Sequence, residues 1–117
     1  MLAHGALLRK NFFSADELIA IVKDFRNAGL PDEEVAMMSL AQKIVTHANQ
    51  VNEQDIDELR KYGLTDEEIL DVILTSAARS FFSKTLDALG VMPDDIYLDL
   101  EPGLIQVLSF GRPFSKK

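Results

Sequence analysis

The sequence contains no cysteine. That excludes a disulfide, a thiol nucleophile and a thiol–disulfide redox cycle within the chain. Proline and glycine are also sparse, four and six among 117 residues, while 47% of positions are apolar. This composition belongs to a globular chain rather than a disordered one. At this length a single domain, residues 1–117, is expected, burying roughly two-thirds of the unfolded chain's surface. Positive charge is in short supply, with 12 basic against 19 acidic residues and a net charge of −7. An acidic surface repels phosphate backbones and anionic membranes, so neither nucleic acid nor membrane is an expected partner.

Long hydrophobic runs are missing as well. Met1 to Phe13 has short apolar stretches broken by His4, Arg9 and Lys10. It lacks the basic-then-apolar order of a signal peptide, and no run reaches membrane-spanning length. Cytoplasm is the expected compartment. None of the six glycines forms a phosphate-binding loop pattern. The two histidines, His4 and His47, belong to no metal-spaced pair, and no serine sits in a nucleophile-elbow context. No cofactor and no metal are therefore expected.

What the chain does have is helix signals. Thr65 to Leu89 is the stretch the rest is expected to pack around. Thr65 and Glu68 form a capping box, Asp66, Glu67 and Glu68 complement the helix dipole, and Gly90 suits a left-handed C-terminal position. The spacing predicts one helix of about 25 residues, roughly 37 Å long. Ile69, Leu70, Val72, Ile73, Leu74, Ala77 and Ala78 leave almost no polar face, which predicts burial on most sides. Ser76, Ser80 and Ser83 fall on one side, either as a stripe for close helix approach or as solvent-facing residues.

Earlier in the chain, Leu7, Leu8 and Ala3 fit one face of a short helix weakened by Gly5. Ser14 and Glu17 make a second capping box ahead of Leu18, Ile21, Val22 and Phe25. Met37, Ala41, Ile44, Ala48 and Val51 form an amphipathic stripe, and Asn52 caps a helix carrying Ile56 and Leu59. Gly29-Leu-Pro-Asp-Glu-Glu-Val35 returns as Gly63-Leu-Thr-Asp-Glu-Glu-Ile69, 34 positions later. Two copies are too few for a tetratricopeptide array; one way of ending a helix and opening the next is used twice. Residues 91–117 read as a C-terminal arm. Ile96 to Leu100 shows no clear period, and Leu104 to Phe110 is open between a helical turn and a strand. So much apolar tail points to an arm laid on a neighbouring subunit, or else folded over its own core.

His47, beside Asn49 and Gln50 near a helix end, reads as exposed. His4 stands apart because of the words around it. Ala-His-Gly-Ala-Leu-Leu-Arg-Lys, Leu-Thr-Asp-Glu-Glu-Ile-Leu and Ala-Leu-Gly-Val-Met-Pro-Asp-Asp, in this order, resemble the alkylhydroperoxidase D-like, or carboxymuconolactone decarboxylase-like, superfamily in its peroxidase-related branch. The resemblance runs from Ala3 to Phe114. It implies an all-α, multi-helix orthogonal bundle around a long buried helix at 65–89. It also implies homo-oligomers, commonly trimers or hexamers, with active sites near subunit contacts. Active members carry C-x-x-C-x-x-x-H. Placing His4 on that histidine, the relay residue, puts the second cysteine immediately before Met1, and the rest of the motif further back. The chain is therefore expected to lack the front part of the domain.

The motif has a physical reason. Cysteine and histidine four apart share a helix face, and the imidazole takes the thiol proton to give the thiolate that attacks a peroxide. A second cysteine resolves the sulfenic acid. Here His4 has no thiol to activate. A thiol reductant protein would be a partner only of an intact family member. Three functions follow as expectations. One is an antioxidant oxidoreductase scaffold inactive as a thiol peroxidase. Another is a non-enzymatic oligomeric helical module or small apolar ligand binder. A third is a non-thiol, decarboxylase-like acid–base enzyme.

Overall fold

The computed structural model of the chain describes residues 1–109. Six α-helices follow one another among them: α1 (Leu2–Asn11), α2 (Ala15–Asp24), α3 (Asp32–His47), α4 (Glu53–Lys61), α5 (Asp66–Leu89) and α6 (Pro102–Leu108). Short 3₁₀ turns occupy Phe25–Asn27, Ala48–Gln50 and Asp95–Asp99, and no strand occurs among the described residues. The fold is all-α, as the sequence predicts.

Helix starts follow the predicted chemistry. The Ser14 hydroxyl accepts from Glu17 N–H, and the Glu17 carboxylate accepts from Ser14 N–H at 2.7 Å. Thr65 and Glu68 exchange the same pair of bonds, both at 3.1 Å. Asn52 Oδ1 accepts from the backbone of Gln54 and Asp55. Each arrangement satisfies donors that a helix start leaves without intrahelical partners. Gly29 and Gly63 both adopt positive φ, 78° and 88°, so the two echoed segments do share one way of leaving a helix. At Gly63 this turns Leu64 back onto the core.

Contacts divide the chain, expected to be one domain, into two compact units, Met1–Gly29 with the chain from Asp87 onward, and Leu30–Leu86. In the first unit, Leu2, Leu18, Leu104 and Leu108 form a buried cluster flanked by Phe13, Ile19, Val22, Tyr97 and Leu100. Of the two placements expected for the apolar tail, α6 takes the one over the chain's own core. Leu104 and Leu108, one helical turn apart, make this segment part of the unit's own core. Residues 110–117 lie outside the described residues.

In the second unit, Leu40 of α3, Leu59 of α4, Leu64 and Ile69 of α5 are buried together, with Met37, Ile44, Val51, Ile56, Val72 and Ile73 around them. Lys43 on α3 bridges to Asp55 on α4 at 2.6 Å. Arg60 on α4 reaches Glu53, Asp57 and Asp66, tying the end of α4 to the start of α5.

The bounds of the long helix agree with expectation, but its burial does not. Ile69 and Ser76 are the only buried residues of α5, while Leu70, Leu74, Phe81, Phe82, Leu86 and Leu89 are exposed. A helix apolar all round needs neighbours on every side. The described residues of a single chain cover one side. The serine stripe divides: Ser76 is buried and donates to Val72 O at 2.7 Å, Ser80 is half-buried and Ser83 is exposed.

Candidate functional site on α1

Helix α1 is seated by its smallest residue. Gly5 is buried against Leu108, and a Cβ built at position 5 would lie 2.4 Å from Leu108 Cδ1. Leu2, three residues earlier, enters the same cluster. Arg9, one turn after Gly5, pairs with Glu101 at the start of α6, Nε to Oε1 at 2.8 Å. Leu2, Gly5 and Arg9 thus define the inner face of α1.

Gly5→Ala is expected to destabilise the chain. Alanine gains up to about 1 kcal/mol in helix propensity, but overpacking a buried leucine costs about 1–3 kcal/mol. The net loss expected is about 1 kcal/mol, read from urea unfolding followed by circular dichroism. A stability gain would mean that Leu108 moves aside freely.

His4 lies on the outer face and is exposed, beside Leu7 and Leu8, which are exposed too. The predicted apolar face of Ala3, Leu7 and Leu8 is therefore not the packed one. Its residues turn outward because Gly5 permits the closer approach on the other side. Asn11, one turn beyond Leu7, donates to the Leu7 carbonyl at 2.9 Å. His47 closes α3 in the second unit and is exposed. Among the described residues no group of three histidine or acidic side chains has an arrangement suited to a metal ion.

The shifted titrations belong to helix seating. Arg9 holds the Glu101 carboxyl below the usual carboxylate range. The backbone N–H of Ser14 lowers Glu17, that of Thr65 lowers Glu68, and the Lys43 ammonium lowers Asp55. A carboxyl lowered in the folded state binds fewer protons there than in the unfolded state. Its stabilisation is complete above the unfolded value and disappears as pH falls through the folded one. The melting temperature should be flat above about pH 5 and fall below about pH 4. Thermal melts across this range check it; a melting temperature that rises on acidification would contradict it.

No family model matches the chain, and no curated protein matches it. A solved structure does. The crystal structure of an alkylhydroperoxidase AhpD core, an uncharacterized peroxidase-related protein from Ralstonia eutropha JMP134, superposes with a TM-score of 0.74 at 28% identity. This likeness supports the resemblance to the alkylhydroperoxidase D-like superfamily and shows its all-α fold. The match covers 82% of this chain and 50% of the other, so this alkylhydroperoxidase D-like chain spans half the length of that structure. No helix among the described residues is long and apolar enough to cross a membrane.

Two features of the candidate site escape sequence reading. The role of Gly5 depends on Leu108, more than a hundred positions away. The Arg9–Glu101 pair spans 92 positions, and only the fold brings its partners together. Helical spacing alone does carry one signal: Leu2, Gly5 and Arg9 recur at three and four.

Proposed function

We propose that this chain is a cytoplasmic alkylhydroperoxidase D-like helical module that assembles with itself and does not reduce peroxides by a thiol mechanism. The absence of cysteine carries the reading. His4 keeps the place of the relay histidine, on an exposed helix face, and has no sulfur in its own chain from which to take a proton. Self-assembly, as the trimers or hexamers of similar proteins, is supported by the apolar surface that α5 leaves uncovered.

Steady-state loss of an alkyl hydroperoxide, with a dithiol reductant present, tests the proposal. The rate with the chain should equal the rate with buffer. Reductant-dependent turnover would overturn it. Turnover independent of reductant and abolished by His4→Ala would instead favour an acid–base enzyme.

A further inference from the structure

Phe82, Leu86 and Leu89 are exposed on another side of α5, but four of its exposed apolar residues share one line. Leu70, Leu74, Ala77 and Phe81 recur at spacings of four, three and four. At 100° per residue they fall within an arc of about 60°, and the buried Ile69 and Ser76 lie about 120° away. Leu70, Leu74 and Phe81 are 51%, 56% and 68% exposed, and Ala77 is exposed as well. The alternating spacing is that of a helix seam meeting a second helix side by side. All four residues belong to the second unit.

Charge selects the occupant. Glu67 precedes Leu70 by three residues and Lys84 follows Phe81 by three, so both continue the stripe, one at each end. Both are exposed, and neither enters an ion pair among the described residues. We propose that this seam binds the same seam of a second copy of the chain, antiparallel, about a two-fold axis. In that register Leu70 faces the second copy's Phe81, Leu74 faces its Ala77, and Glu67 faces its Lys84. Large residues meet small ones at the centre, and opposite charges close both ends. A parallel register would set Glu67 against Glu67 and Lys84 against Lys84, which like-charge repulsion disfavours. One surface complementary to itself is what a two-fold contact requires.

This inference rests on the proposed self-assembly, and the test separates the two. Sedimentation equilibrium is run on the wild-type chain, Glu67→Lys, Lys84→Glu and the double swap, with helicity confirming that each is folded. Each single swap turns two attractive contacts repulsive and should weaken association about tenfold, while the double swap should restore it. Because the chain has no native cysteine, mixed Glu67→Cys and Lys84→Cys chains should oxidise to the 67–84 heterodimer in preference to either homodimer. Association unchanged by both swaps, or preferential 67–67 cross-linking, overturns the seam and leaves self-assembly standing. A wild-type monomer overturns both.

Discussion

Leu104→Ala is expected to destabilise the first unit by about 2–5 kcal/mol. Leu104 is completely inaccessible to solvent and packs with Leu2, Leu18 and Leu108. Truncation removes the transfer free energy of the lost carbons and leaves a cavity between three helices that relax only in part. Helix α6 has seven residues, too few to persist without packing. It should therefore lose structure first, with α1 losing the surface that seats Gly5. Against a typical total of about 5–15 kcal/mol this is a large fraction. Urea unfolding monitored by circular dichroism measures it, and a loss under about 1 kcal/mol would show that Leu104 is not the core residue its burial implies.

Leu59→Ala should cost a similar amount, about 2–5 kcal/mol, in the second unit. Leu59 is 1% exposed and touches the cluster of Leu40, Leu64 and Ile69. It is the point where α3, α4 and the start of α5 meet. The polar ties between these helices do not compensate. Arg60 and its three carboxylate partners are substantially exposed, and exposed ion pairs contribute little. Leu59→Met nearly conserves volume and should cost less than about 1.5 kcal/mol. Equal losses for alanine and methionine would mean that shape rather than buried volume controls the site.

These two leucines differ in how far the sequence reveals them. Leu59 sits on a capped helix with Ile56 at helical spacing, and its inward direction is legible. Leu104 follows Pro102-Gly103 in a helix too short to display a period, so its role emerges only when α6 packs on α2. Helix starts are legible for the same reason as Leu59. Ser14–Glu17, Asn52–Asp55 and Thr65–Glu68 bond across three residues, so the fold has no say in them. The surroundings of α5 are not legible. Its composition announces apolar faces all round, but it does not say which of them packs, and Leu70, Leu74 and Phe81 are left exposed. The candidate site was legible only through the words around His4, and its seating by Gly5 and Glu101 was not.

The long helix and the missing thiol bear on one functional account. The chain shares the fold of a solved alkylhydroperoxidase AhpD core over half of that structure's length. This chain carries His4 on an exposed face of α1 and contains no cysteine. What it presents in quantity is apolar helix surface, and surface of that kind is suited to assembly.

The most direct test is a single-turnover experiment without reductant. The chain is mixed with one equivalent of an alkyl hydroperoxide, the mixture is quenched at intervals, and the remaining peroxide is compared with a protein-free control. The account predicts the same amount in both. Rapid loss of one equivalent in the presence of the chain would contradict it.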